Sequence, residues 1–310
     1  KKDSLGSEFK KEFLKLTTEV NDNKNSKQVY NDRGNAYANV GQFENAIMDF
    51  STAIDLDSVD IVSYTNRALT YIKMGDFELA VEDLDRVIVI DNSDPNTYYI
   101  KALLYRKLGK LNKAISSFSK SIAYNPRDAL TFYMRARTKV EQNDQVGALE
   151  DFEKALIVDP NYWAAYKHRG KLNLFNKTYE KAIEDFSKAL KMNAKDTSIY
   201  FLRASCYEAL KNDDSAQHDY SSVISLDINY ILAYEKRGIV RARLKNYSGA
   251  MGDFNKVLQL DPTHFNTYLQ RGKLNLSMGD KSKACSDFSV ARNKPSKELD
   301  GLINTNCSSL

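Results

Sequence analysis

The sequence predicts an all-α solenoid that is built from tandem pairs of helices. A 34-residue unit recurs eight times between residues 27 and 298, with no insertion or deletion. Within each unit, apolar positions follow one another at intervals of three and four residues in two runs, which is the spacing of two amphipathic helices. A glycine or a polar residue separates the runs and suits a tight turn. Because one such pair cannot bury its own apolar face, neighbouring units must stack.

Residues 1–26 are predicted to be an N-terminal segment that contains a capping helix. One helical face of residues 9–20 carries Phe9, Phe13, Leu16 and Val20, and a polar stretch follows at 21–26. The chain begins at Lys1 without a Met, which fits a fragment or a processed form. Residues 6–9 read GSEF, which two adjacent cloning sites can encode, so this stretch is kept out of the functional reasoning.

The repeat array itself is predicted to occupy residues 27–298. Counting Lys27 as position 1, position 4 is always aromatic, position 8 is Gly or Ala, position 20 is always Ala, and position 24 is Phe, Tyr or Leu. The small residues let the two helices approach closely, and the aromatic residues fill the space beside that contact. The eight units are 27–60, 61–94, 95–128, 129–162, 163–196, 197–230, 231–264 and 265–298.

The turns and the C-terminal end complete the predicted architecture. Position 15 is glycine in four units, where a positive φ is often needed: Gly41, Gly75, Gly109 and Gly279. Residues 299–310 are predicted to be a C-terminal capping tail, because Leu299, Leu302 and Ile303 suffice for a short helix. Such covers are needed where a terminal repeat would otherwise expose its apolar face.

This pattern of aromatic, small, glycine, alanine and proline positions resembles the tetratricopeptide repeat (TPR). The resemblance covers residues 27–298 and recurs eight times. It implies a right-handed superhelical solenoid whose first helices line a concave groove and whose second helices form the convex side. It also implies a protein–protein interaction scaffold that binds peptides rather than an enzyme.

The chain departs from the commonest form of this repeat at position 7, where Leu is usual. Position 7 is Arg in seven units and Lys in one, and position 23 is Asp in the same seven units and Ser in the other. This joint exception predicts a ladder of structural ion pairs between the two helices of each repeat. The predicted pairs are Arg33 with Asp49, Arg67 with Asp83, Arg135 with Asp151, Arg169 with Asp185, Arg203 with Asp219, Arg237 with Asp253, and Arg271 with Asp287.

The first-helix positions that do not recur are predicted to carry recognition. The resemblance implies that positions 2, 5, 6, 9, 12 and 13 face the groove, and there an aromatic and apolar patch adjoins a basic segment. The candidate peptide-binding residues are Leu69, Tyr99, Ile100, Leu103, Arg106, Lys107, Tyr133, Met134, Arg137, Lys167, His168, Lys171 and Phe201. The formal charges at these positions sum to a positive value close to the +4 of the whole chain. A ligand with apolar anchors and acidic groups is therefore expected.

A chaperone-type carboxylate clamp is not expected. Asn35 and Asn66 match two places of the clamp that some members of this family use. The three places that need a cation hold Asn31, Asn96 and Ile100 instead. Without those cations a C-terminal carboxylate loses its main attraction.

The sequence offers little sign of catalysis, of a cofactor or of a metal site. His168, His218 and His264 lie in different repeats at different repeat positions, and no phosphate loop or metal-ligand spacing appears. The small net charge gives no reason to expect nucleic acid as a partner. No run of 18 apolar residues is present, so no transmembrane segment is expected.

The three cysteines leave the compartment open between the cytoplasm and a bacterial periplasm or envelope. Cys206 lies in a predicted helix and is expected to pack as a small apolar residue. Cys285 and Cys307 are expected to be free thiols, although a disulfide between them would support export. Two other functions remain: an assembly factor that uses its convex or end surfaces, for example in a bacterial envelope, and a regulatory region of a larger protein.

Overall fold

The computed structural model describes the backbone of residues 2–307 and the side chains of residues 11–307. This part of the chain consists of eighteen α-helices without a strand. The helices fall into two compact units, Lys1–Val158 and Asp159–Leu310. Each unit is described separately below.

The first unit contains a long N-terminal helix and four helix pairs. Their bounds are α1 Lys2–Asp22, α2 Lys27–Asn39, α3 Phe43–Leu56, α4 Ile61–Met74, α5 Phe77–Ile90, α6 Pro95–Lys107, α7 Leu111–Tyr124, α8 Ala129–Glu141 and α9 Gln145–Val158. The second unit contains four further pairs and a short last helix. Their bounds are α10 Trp163–Phe175, α11 Tyr179–Met192, α12 Thr197–Ala209, α13 Asp213–Leu226, α14 Ile231–Arg243, α15 Tyr247–Leu260, α16 Phe265–Ser277, α17 Lys281–Ala291 and α18 Lys297–Asn306.

The core of each pair lies where the recurring small and aromatic residues meet. In the first pair Ala46 and Phe50 have no exposed surface, and Gly34 lies directly over the Phe50 ring. A Cβ atom added at Gly34 would come within 2.7 Å of that ring. The contact is therefore too close for a larger residue unless the ring moves, and it brings the two helix backbones together.

The turns between paired helices adopt the left-handed conformation that the glycines predict. The four glycines at position 15 have φ between 68° and 94°. In the other four repeats the same conformation is adopted by residues with a Cβ atom: Asn143, Lys177, Lys211 and Lys245. These side chains make the turn less favourable than glycine would.

Both ends of the array are covered by a helix. At the N-terminal end the Phe13 ring of α1 contacts the Tyr37 ring edge-on at 4.8 Å, and Val20 is buried. The side chain of Phe9 lies outside the described residues, as do all side chains of 6–9. At the C-terminal end α18 packs against repeat 8 through Leu299, which is 1% exposed.

The cysteines require one correction. Cys285 on α17 and Cys307 at the end of α18 form a disulfide, with their Cα atoms 5.7 Å apart. The expectation of two free thiols was wrong because α18 folds back along α17 and brings the two residues together. Cys206 packs in the core as expected, and burial raises the pKa of its thiol to about 12.

Candidate functional site

The structure places all seven predicted Arg–Asp pairs in direct contact. In each pair the arginine donates through Nε and Nη2 to both oxygens of the aspartate, with donor–acceptor distances of 2.6–3.3 Å. The seven aspartates are at most 5% exposed. A bidentate geometry satisfies each buried carboxylate, so these pairs belong to the internal structure of the helix pairs.

The arginines also join neighbouring repeats, which was not foreseen from the sequence. Arg203 uses its remaining nitrogen, Nη1, to donate to Ser187 of the preceding repeat at 2.9 Å. The same bond recurs from Arg67, Arg135 and Arg237 to serines, and from Arg271 to Asn255. Position 25 is Ser in most repeats, and that recurrence was the signal that could have revealed the contact.

The exceptional repeat uses a different partner. Lys101 does not pair with Ser117 but forms an ion pair with Asp85 at position 25 of the preceding repeat. Ser117 instead donates to the carbonyl oxygen of Lys113 in its own helix at 2.9 Å. The arginines at position 7 therefore pair with the aspartates at position 23, as the joint exception predicted. The lysine at position 7 pairs instead with an aspartate at position 25 of the preceding repeat.

Position 11 supports the ion pair of the same repeat in several ways. Lys139 and Arg241 add a second cation to Asp151 and Asp253, at 2.8 and 2.9 Å. Asn173 and Asn275 donate a hydrogen bond to the aspartate. In repeats 1 and 6 a tyrosine ring lies about 6.0 Å from the guanidinium carbon, at Tyr37 and Tyr207.

The aliphatic and methionine candidates of the first unit lie on α4, α6 and α8. Leu69 is 42% exposed. Ile100 packs against the buried cluster of repeats 2 and 3, and Leu103 and Met134 pack against the cluster around Phe118. The three residues are half-buried, so each keeps part of its apolar surface open to solvent. We call Leu69, Ile100, Leu103 and Met134 the first-unit face.

Two tyrosines among the candidate peptide-binding residues, Tyr99 and Tyr133, are enclosed by neighbouring side chains. Tyr133 is 7% exposed, and its ring lies 6.0 Å from that of Phe152. Tyr99 is half-buried with its ring 5.8 Å from that of Phe118, and burial raises the pKa of its hydroxyl. Tyr133, predicted as a peptide-binding residue, therefore offers little surface to a ligand, because this side chain packs on the second helix of its own repeat.

The cations beside the first-unit face differ in their availability. Arg106 forms an ion pair with Glu141 of the next repeat, so its charge is largely compensated. Arg137 lies over the Tyr133 ring, 5.7 Å from its centroid. Lys107 is exposed, and no carboxylate partner for it is found among the described residues. The positive charge beside the first-unit face therefore comes mainly from Lys107 and Arg137.

In the second unit Lys167 is engaged within its own repeat. Its ammonium donates to Asp196 at 2.6 Å and lies 5.9 Å from the Trp163 ring centroid. Burial would raise the pKa of Asp196, but hydrogen bonds from Lys167 and Ser198 outweigh it and hold that pKa below its usual range. The structure thus corrects the expectation of an uncompensated charge at Lys167.

The three other candidates of the second unit are placed as follows. His168 Nδ1 lies 2.9 Å from the carbonyl oxygen of Ala164, one turn earlier in α10. Lys171 is exposed on the same helix. Phe201 is half-buried, with its ring 5.4 Å from that of Tyr220. Of these three residues, Lys171 offers the most open side chain.

Two carboxylates, Asp60 and Asp196, bond to first-helix residues although they are not among the predicted groove positions. Asp60 at position 34 accepts from Asn31 at 3.1 Å and from Lys27 at 2.8 Å, and it caps α4 through the Ser63 amide. Asp196 holds the same position in repeat 5 and binds Lys167. These carboxylates lower the positive charge that the sum of formal charges over positions 2, 5, 6, 9, 12 and 13 predicted. The sequence signal for these carboxylates was an Asp immediately before a predicted helix, because such an Asp is a typical N-terminal capping residue.

Neither a metal-holding cluster nor a membrane-spanning helix is found among the described residues. Across them, no three His, Cys, Asp or Glu side chains gather to hold a metal ion. Within the same part of the chain, none of the helices combines the length and the apolar composition that crossing a bilayer requires.

The comparison with protein families identifies the class. Two family profiles, both described as tetratricopeptide repeat, match residues 27–60, 61–94, 95–128 and 197–229, and residues 133–197. Together they cover more than half of the chain, so the protein belongs to the tetratricopeptide repeat family. It is an all-α repeat protein of a family whose general role is protein–protein interaction. No curated protein sequence matches it.

Solved structures of TPR proteins resemble the chain in fold. YrrB, a TPR protein with an unusual peptide-binding site, is 22% identical over 61% of this chain and 97% of its own, with a TM-score of 0.56. A TPR protein from Parabacteroides merdae is 24% identical over 79% and 98%, with a TM-score of 0.54. The C-terminal part of a TPR protein from Cytophaga hutchinsonii is 18% identical over 76% and 96%, with a TM-score of 0.67.

Proposed function

We propose that the protein is a non-enzymatic scaffold that binds an extended peptide or protein segment on its first-unit face. The observation that carries this proposal is the open apolar surface of Leu69, Leu103 and Met134 on the first helices of consecutive repeats. Apolar side chains on the first helices of consecutive repeats can contact successive side chains of an extended peptide, which a compact ligand does not present in a row.

The ligand is proposed to carry acidic groups beside its apolar anchors. Lys107 and Arg137 adjoin the apolar residues on α6 and α8, and no carboxylate neutralises Lys107 in the described part of the chain. Opposite charges steer the encounter and fix the orientation, while the apolar anchors supply most of the affinity.

A defined peptide array tests this proposal. Ten-residue peptides that combine aliphatic residues with Asp or Glu are compared with peptides of the same apolar content that carry Lys. The acidic set is expected to bind, and binding should weaken as salt is raised. Leu69→Asp and Lys107→Glu should each reduce affinity about tenfold, since each change costs about 1.4 kcal/mol of binding energy.

Lys120→Glu is the matched control for the charge change. Lys120 is exposed on α7, a second helix of the first unit. Its substitution is expected to leave peptide binding unchanged. Equal binding of acidic and basic peptides would refute the acidic ligand. Unchanged binding by both Leu69→Asp and Lys107→Glu would move recognition away from the first-unit face.

The assembly-factor alternative draws support from the disulfide. A Cys285–Cys307 bond favours an oxidising compartment such as a bacterial periplasm or envelope. Under this alternative, a folded partner would contact the second helices or the ends of the array. A natural partner that is retained by both first-unit variants, but lost when exposed second-helix residues are changed, would support it over the peptide-binding proposal.

A further inference from the structure

A cavity of about 730 Å³ opens between repeats 7 and 8, beside the ion pair of the last repeat. It lies within the second unit and is lined by residues of α15, α16 and α17 and of the turn between α16 and α17. Its lining includes Met251, Asn255, Arg271, Asn275, Met278 and Ser286. None of these residues belongs to the candidate peptide-binding set.

Comparison among the repeats shows what this cavity lacks. In repeats 1 and 6, the arginine of the ion pair has two tyrosine rings near it, one from position 4 and one from position 11. The cavity beside the position-11 tyrosine of repeat 6, Tyr207, is only about 270 Å³. Repeat 8 has the smaller Asn275 at position 11, which donates to Asp287 at 3.1 Å, and the larger cavity lies beside it.

The guanidinium of Arg271 has its hydrogen bonds satisfied but keeps room for a ring. Nε and Nη2 donate to Asp287, and Nη1 donates to Asn255 at 2.8 Å. The Tyr268 ring lies 5.4 Å from its central carbon, as the position-4 ring does in the other arginine repeats. What the cation still offers is attraction to a second aromatic ring, rather than another hydrogen bond.

The remaining walls suit an aromatic group. Met251 and Met278 place thioethers at the cavity, and sulfur–aromatic contacts are favourable. Asn255, Asn275 and Ser286 supply polar atoms for a hydroxyl. The charged lining residues balance, since Arg271 and Lys283 face Asp280 and Asp287, which disfavours a strongly charged ligand.

We propose that this cavity is a binding site for an aromatic side chain, tyrosine above all, that a protein partner inserts. The incoming ring takes the place that Tyr37 and Tyr207 fill in their own repeats. The site is thus an anchor point in the second unit, and it shares no residue with the first-unit face. Either site can exist without the other, so their tests fail independently.

Methyl NMR provides the test, with 4-methylphenol as the probe of a tyrosine side chain. The chain has six methionines, so ¹³C-methyl labelling gives six assignable signals. Added probe is expected to shift the signals of Met251 and Met278 in a saturable manner, with ring-current displacement. The signals of Met48 and Met74, which lie in the first unit and outside the first-unit face, are expected to stay in place. The saturated analogue 4-methylcyclohexanol should produce much smaller shifts.

Two variants fill the cavity from different sides. Asn275→Tyr installs the ring that repeats 1 and 6 already hold beside the same kind of ion pair. Ser286→Trp closes the exposed rim without touching the pair, and its control is Ser116→Trp at the same position of repeat 3. Both cavity variants are expected to reduce the probe-induced shifts at least tenfold at a fixed probe concentration, and Ser116→Trp should not.

Three results would overturn the proposal. The first is the absence of saturable shifts at Met251 and Met278. The second is equal shifting by the saturated analogue, which would show an unspecific apolar surface. The third is persistence of the shifts in Ser286→Trp, which does not depend on whether Asn275→Tyr folds.

Discussion

Lys101 forms an ion pair with Asp85 of the preceding repeat, whereas the arginines at the equivalent position pair with an aspartate of their own repeat. The two kinds of pair differ in burial as well as in partner. The Asp85 side chain is 51% exposed, while that of Asp219 is 1% exposed. Similar charges at equivalent positions should therefore contribute very differently to stability, because water screens the first pair and not the second.

We predict that Asp219→Ala lowers the free energy of unfolding by on the order of 3–5 kcal/mol, because it leaves the Arg203 guanidinium without its buried partner. Asp85→Ala, the matched change at an exposed pair, should cost less than about 1 kcal/mol. Urea denaturation followed by circular dichroism measures both. Equal losses would show that burial does not set the value of these pairs.

The left-handed lysines of the turns offer a stabilising change. Lys177, Lys211 and Lys245 have φ of 59°, 57° and 60°, a conformation that disfavours residues with a Cβ atom. Lys211→Gly is expected to stabilise the protein by about 1 kcal/mol, because glycine adopts this conformation without steric cost.

Thermal and urea denaturation of the Lys211→Gly variant check the direction. Lys120→Gly is the control, because Lys120 is an exposed residue inside α7 and should lose about 1 kcal/mol there. Lys177→Gly and Lys245→Gly change the same position of two other repeats and are expected to stabilise the protein by a similar amount. Destabilisation by Lys211→Gly would mean that the lysine side chain makes a favourable contact that outweighs the backbone conformation.

Acid should weaken the first unit through Asp60. Burial alone would raise the pKa of this carboxyl, yet hydrogen bonds from Lys27, Ser63 and Asn31 outweigh it and hold the pKa below its usual range. Because the pKa is lower in the folded state, the carboxylate stabilises the fold above the unfolded value of about 3.9. That contribution is lost as the pH falls through the folded value.

The test compares Asp60→Asn with the parent protein by urea denaturation at pH 7 and near pH 3. The variant should be less stable at pH 7, and the difference should shrink at the lower pH. Asp55→Asn, a change at an exposed residue of α3, serves as the control and should show little difference at either pH. A difference for Asp60→Asn that does not vary with pH would assign its effect to packing.

The bounds of the repeats and the Arg–Asp pairs could be predicted because each feature recurs along the chain. A pattern that recurs seven or eight times is not explained by chance at a single position. The partner of Lys101 could not be predicted, because it lies in another repeat and at a position where serine is usual. The exposure of Tyr133 also could not be predicted. Repeat position indicates the face of the helix, whereas burial depends on how the ring packs against Phe152.

The candidate peptide-binding site was harder to predict than the fold for a related reason. The sequence shows the formal charges at the groove positions, but Asp196, which lies at position 34 and outside that set, neutralises Lys167. Charge at such a site is a property of the assembled surface. A count over one helix face therefore overestimates it.

The disulfide is expected to hold the C-terminal cap in place. The α18 helix is only ten residues long, contains Gly301 in its middle, and buries one side chain completely, that of Leu299. Such a helix is weak by itself. The Cys285–Cys307 bond closes a chain segment of 22 residues, and a cross-link of this length contributes about 3 kcal/mol.

Cys307→Ser, or reduction of the parent protein, should therefore speed hydrogen exchange in α18 about a hundredfold, because 3 kcal/mol corresponds to roughly two powers of ten. Exchange in α12 and α13 should not change, since these helices do not contact the cap. Cys206→Ala controls for the third thiol, and reductant should have no effect on a Cys285→Ser, Cys307→Ser double variant. Unaltered exchange in α18 after reduction would show that its apolar contacts alone secure the end of the array.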